Sequence, residues 1–184
     1  ELAEDLRRLL KEVEDRSRDL LRKNRKLLEE VRERTERLIK ELEDLLEEIT
    51  RRVKDLIRKI KDEELLKKLE DLLREIEKLV REALERSRKT LEDIRKRVED
   101  MVRRSKEVLE RIRRLVKEAI EKLRDEELVR RVKEEIKRLM EEDKKLNKKS
   151  VEEIRELLKR DRDLIEEVKK EAERLLKEIE DEVR

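Results

Sequence analysis

The sequence predicts an all-α protein, a long, nearly straight, antiparallel three-helix bundle running up-down-up and coiled-coil-like in character. Three observations predict it: a reduced alphabet, an apolar stripe of helical period, and a connector that occurs twice. The 184 residues contain no Gly, Pro, Cys, His or aromatic residue, 61% are charged, and the 34% that are apolar are almost all Leu, Val and Ile. That is the composition of long helices, whose preferred residues lose little side-chain freedom on coiling. So charged a chain invites a disordered reading. The apolar residues argue against it, because they recur with a period instead of scattering, and a free-standing charged helix would have no use for a continuous Leu stripe.

The connectors divide the chain. Residues 59–69 read KIKDEELLKKL and residues 122–132 read KLRDEELVRRV. In each an apolar stripe ends, at Ile60 or Leu123, a basic residue follows, and Asp-Glu-Glu comes next. Asp caps helix N-termini well, and acids in a first turn suit the positive end of the helix dipole. Each stretch is therefore a helix stop, a short turn and a new start. The expected helices cover about 1–60, 63–123 and 126–184 of one bundle spanning 1–184. At 1.5 Å per residue each would be roughly 90 Å long, and short turns make sequential helices antiparallel neighbours.

The first stripe runs Leu2, Leu6, Leu9, Val13, Ser17, Leu20, Asn24, Leu28, Val31, Thr35, Leu38, Leu42. Its mean step is near 3.6, and Leu9, Leu20, Val31, Leu42 and Val53 recur every eleven residues. Such a repeat implies a nearly straight bundle or a slight right-handed coil. The stripe is narrow, enough for one three-helix core, which favours a monomer.

Polar residues interrupt the stripes. In the segment RSRKTL, Ser87 and Thr90 hold inward positions. Folding about the two turns places residue i of the first helix near 123 − i on the second and near i + 126 on the third. Residue j of the second lies near 249 − j. Ser17 then shares a height with Ser105 and Asp143, and Thr35 with Ser87 and Asp161. Asn24 maps to Ser150, with Asn147 one turn before it. Each residue of the first set is 18 from its counterpart in the second, and eighteen residues are five turns. Two buried polar layers are expected. One holds Thr35, Ser87, Thr90 and Asp161, with Arg34 neutralising it. The other holds Ser17, Ser105 and Asp143, with Arg16 at its edge and Asn24, Asn147 and Ser150 as an extension. Hydroxyls and amides donate and accept, and a carboxylate accepts several bonds. A slipped register would leave such groups unpaired, at about 1–3 kcal/mol each, so the layers would serve specificity. Thr50 has no polar neighbour at its height and is read as a flank residue.

Alphabet, duplicated connectors (KDEELL and RDEELV) and repeated layers together resemble a de novo designed helical bundle, of the parametric three-helix type with hydrogen-bond networks. The resemblance covers the whole chain and departs from common practice in the absence of Gly and Pro from the turns. It implies a hyperstable scaffold with no catalytic residues.

The residues themselves point the same way. Without His or Cys, most transition-metal sites and the usual nucleophile–base pairs are unavailable, and no cofactor is expected. Glu63-Glu64 and Glu141-Glu142-Asp143 lack the loop geometry of a calcium site. Net charge is +2, from 57 basic and 55 acidic residues with the signs interspersed, so neither nucleic acid nor an anionic membrane is an expected partner. Arg111, Arg113 and Arg114 lack aromatic companions. No segment approaches the ~20 apolar residues of a membrane span, no signal peptide is visible, and no small-molecule ligand is expected. The leading reading is a structural scaffold. The rival is an interaction module whose layers select partners in a homo- or hetero-oligomer; Leu45-Leu46 and Leu115-Val116, which widen the stripe, keep it open.

Overall fold

The computed structural model describes residues 1–184 and contains three helices and no strands: α1 (Leu2–Arg58), α2 (Glu63–Glu121) and α3 (Glu126–Val183). Both apolar clusters of the core draw side chains from all three helices, so the chain is an all-α three-helix bundle.

Two helices end before the expected positions, because their last turns tighten. Lys59 and Ile60 donate their N–H groups to the carbonyls of Leu56 and Ile57, at 3.2 and 3.1 Å, and Lys122 donates to Ala119 at 3.2 Å. These three-residue bonds use carbonyls that a helix end leaves unpaired. No residue has positive φ. The left-handed C-cap that favours Gly is therefore not used, and turns without Gly carry no conformational penalty for its absence. Both following helices are capped as the Asp residues foretell. Asp62 Oδ1 accepts the Glu64 N–H at 3.0 Å, and Asp125 Oδ1 accepts the Leu128 N–H at 3.1 Å.

The chain forms two compact units, each with a segment of every helix. Unit 1 is Glu1–Glu30 with Ile94–Arg155, and unit 2 is Val31–Asp93 with Glu156–Arg184. In unit 1 the apolar cluster includes Leu6, Val13, Ile112, Val116, Val129 and Ile136. In unit 2 it includes Leu42, Val53, Leu69, Val80, Ile165 and Ile179. Each fully buried Leu or Ile contributes about 1.5–3 kcal/mol relative to exposure. The ion pairs, such as Glu14–Arg113 in unit 1 and Glu43–Arg88 in unit 2, sit on solvated surface, where a pair is worth ~0–1 kcal/mol.

Burial sharpens the period read from the stripe. Leu9 and Leu20 are only half-buried, and the fully buried positions return every 18 residues. On α1 they form the series Leu6, Asn24, Leu42 and the series Val13, Val31, Ile49. On α2 the series is Ile76, Ile94, Ile112, and another is Val80, Val98, Val116. The eleven-residue spacing is part of this repeat. Eighteen residues close five turns at 3.6 residues per turn, so a position facing the core faces it again one repeat later.

Candidate functional site: the polar layers

The same repeat locates the polar residues. One core position on each helix occurs three times. On α1 it holds Ser17, Thr35 and Val53, on α2 Ser105, Ser87 and Leu69, and on α3 Asp143, Asp161 and Ile179. The first two sets are the predicted polar layers. The third, in unit 2, is wholly apolar and fully buried.

In unit 2 the Ser87 hydroxyl donates to Asp161, lying 2.8 Å from both carboxylate oxygens. Ser87 and Thr35 are buried, and Asp161 is only 4% exposed. Burial, opposed only by the Ser87 hydrogen bond, raises the Asp161 pKa above the ordinary carboxylate value. No cationic side chain is among the groups that act on it. The expected neutralisation by Arg34 is therefore corrected: Arg34 is exposed and its charge is not among the groups that act on Asp161. Thr90 is half-buried, at the margin of the core.

In unit 1 the Ser105 hydroxyl donates to Asp143 Oδ2 at 3.1 Å. Asp143 is half-buried, and its pKa is raised by burial, against the Ser105 bond and the charge of Arg104. The cation acting on Asp143 is thus Arg104 of α2; Arg16, expected in this role, is exposed and stands on the wall of an adjoining cavity. Ser17 Oγ is buried and has no hydrogen-bond partner. The Asn24 amide, buried, donates to Asn147 Oδ1 at 2.9 Å. The alignment set Asn24 opposite Ser150, so the contact lies one turn from that position, and Ser150 is half-buried outside the bond. On the other pair of helices the alignment is closer: Ser87 and Ser105 meet their aspartates within one residue of 249 − j.

The sequence reading missed a cavity in unit 1. It has a volume of about 300 Å³ and is lined by Ser17, Ser105 and Asp143 together with apolar residues including Leu20, Val108, Ile112 and Met140. Three small side chains at one height were the available signal. Thr50, read as a flank residue, is half-buried beside Leu46 on the surface of unit 2.

No group of three His, Cys, Asp or Glu side chains is placed to hold a metal ion, and no helix is long and apolar enough to cross a membrane. Neither layer brings a nucleophile together with a neutral base. Both are arrangements of hydroxyl, amide and carboxylate groups that can hold one another or a polar guest. Comparison with protein-family models, with curated proteins and with solved structures finds no match.

Proposed function

We propose that the chain is a structural scaffold of the designed helical-bundle kind, without catalytic activity, in which buried polar pairs select one packing arrangement. The observation that carries this reading is the Ser87–Asp161 pair. It is buried at a position where, one repeat away, the same three helices carry Val53, Leu69 and Ile179. An apolar solution to that position is therefore written in the same chain. Replacing buried polar groups by well-packed apolar ones is often neutral or stabilising, so a polar choice is better explained by specificity than by stability.

The 18-residue repeat gives specificity something to do. Helices that present the same apolar face every five turns also match when displaced by one repeat. The short connectors exclude that displacement within a chain, but they do not exclude it between chains. A helix pair shifted by one repeat would bring Asp161 or Asp143 against an apolar neighbour and leave the carboxylate without its serine, which costs about 1–3 kcal/mol or more. The layers thus oppose association in a wrong register. The interaction-module reading shares this physics, with partner choice as its outcome; the half-buried Leu45, Leu46 and Leu115 favour it, although all three pack against the core of their own unit.

Solution mass by light scattering, over a hundredfold concentration range, tests the choice. The scaffold predicts a constant mass near 22.8 kDa. A constant multiple of that mass would transfer the layers' role to partner selection. A thermal scan adds a check: idealised packing predicts no complete unfolding below about 90 °C, and a midpoint near that of ordinary domains would contradict it.

A further inference from the structure

We infer that the unit 1 cavity is a binding site for a small primary ammonium carrying an apolar body, with the ammonium seated among Ser17, Ser105 and Asp143. The inference goes beyond the scaffold role, and no ligand was expected from the sequence.

Three features of the cavity define the guest. The first is unmet hydrogen-bonding capacity. Ser17 Oγ is buried without a partner, and the Asp143 carboxylate, which can accept several bonds, receives one, from Ser105. An R–NH₃⁺ group has three donors. Ser17 Oγ, Ser105 Oγ and the Asp143 carboxylate are three acceptors lining one space. The second feature is charge. Asp143 makes no ion pair: Arg104 acts on it only through space, and Arg16, Lys23 and Lys144, which line the cavity with the acids Asp19 and Glu141, do not pair with it. A cationic guest supplies the missing counter-charge, whereas an anion would meet the carboxylate. The third is the apolar part of the wall. Leu20, Val108, Ile112 and Met140 offer an apolar surface, and about 300 Å³ is at the lower end of ordinary ligand sites. Water would satisfy the hydroxyls but leave this surface wet, so the guest must be polar at one end only.

Benzylamine matches this description. Its neutral analogue benzyl alcohol keeps shape and size without the charge, and benzoate reverses the charge. Titration of each into the full chain at pH 7, followed by amide and methyl NMR, tests the inference. Benzylamine is expected to produce saturable shifts centred on Ser17, Ser105, Val108, Ile112 and Met140. It should bind at least about tenfold more tightly than benzyl alcohol, and benzoate should not bind. Asp143→Asn, nearly isosteric and checked for helicity by circular dichroism, should lose that preference. Asp161→Asn, in unit 2, should keep it. Equal affinity for benzylamine and benzyl alcohol would reduce the site to an apolar void. Absence of saturable shifts in this cavity, or an Asp143→Asn variant that still prefers benzylamine, would overturn the assignment outright. Neither result bears on the oligomeric state, so the scaffold reading stands or falls separately.

Discussion

The polar layer of unit 2 and that of unit 1 each set two hydroxyls and an aspartate at equivalent positions of one repeat, with Thr35 in place of Ser17, yet only the first is closed. Ser87 bonds both oxygens of Asp161 at 2.8 Å, and the carboxylate is almost fully buried. Ser105 bonds one oxygen of Asp143 at 3.1 Å, Asp143 is half-buried, Ser17 Oγ has no partner, and a cavity adjoins. The next turn of the helices differs as well. After Asp161 come Ile165 and Val168, both buried, with Leu42 at the corresponding place on α1. After Asp143 come Asn147 and Ser150, both half-buried, with Asn24 at the corresponding place and Leu146 39% exposed. Apolar neighbours seal the unit 2 layer from water. In unit 1 the neighbours on that side are polar, and on the other side the layer adjoins the cavity, beside Val13, Ile112 and Met140. A buried hydrogen bond therefore depends on what covers it as much as on its own donor and acceptor.

The apolar third layer allows this comparison to be broken deliberately. The largest expected effect is from Ile179→Asp, which places a carboxylate in a wholly apolar layer with no hydroxyl to meet it. An uncompensated buried charge costs about 3–5 kcal/mol, and the guanidinium unfolding midpoint should fall accordingly. A loss within experimental error would mean that this layer is open to water.

Next come transplants in the other direction. Ser17→Val, Ser105→Leu and Asp143→Ile together copy the apolar layer into unit 1. They remove an unpartnered hydroxyl and a desolvated carboxylate and fill space, so stability should rise by about 3 kcal/mol. The matching set Thr35→Val, Ser87→Leu and Asp161→Ile removes groups that are better paired. Its gain should be smaller, about 1–2 kcal/mol. Denaturant titration of both variants decides the point; equal gains would show that the unpartnered Ser17 and the cavity carry no energetic weight.

The pH dependence sharpens the comparison further. Burial raises the pKa of Asp161 and Asp143 in the folded state, so over the window between the unfolded and folded values the native chain holds more protons than the unfolded one. Their contribution to stability therefore grows as pH falls through the folded pKa and levels off below the unfolded one, near 3.9 for Asp. Glu41, Glu135 and Glu171 behave oppositely. Hydrogen bonds from Lys169, Arg138 and Arg174 respectively lower their pKa values, and that contribution is lost as pH falls below the ordinary glutamate range. Stability should thus rise as pH falls through the raised aspartate values before it declines. Asp161→Asn and Asp143→Asn should each flatten the rise, as measured by denaturant midpoints across pH.

The smallest expected effect concerns the turns. Asp62→Ala and Asp125→Ala each remove a side-chain bond to the first turn of a helix, at a cost of about 1 kcal/mol. Similar losses are expected from the two, since the cap bonds are of nearly equal length, 3.0 and 3.1 Å.

What the sequence determined by itself is everything that depends on period and local chemistry. The alphabet and the 3.6-residue stripe dictate helices, and Asp-Glu-Glu dictates where α2 and α3 begin. The positions of the two turns place Ser17, Ser105 and Asp143 at one height and Thr35, Ser87 and Asp161 at another, 18 residues along. What only the tertiary structure decided is how completely each group is enclosed. Arg16 and Arg34 can be placed near an aspartate by counting, but both are exposed, and whether a long side chain meets a carboxylate depends on how deep that carboxylate lies. Asn24 meets Asn147 rather than Ser150 because side-chain reach selects among positions one turn apart. Spacing counts side chains by height and has no measure of the volume between them, so it could not show that Ser17 lacks a partner or that a cavity opens beside it.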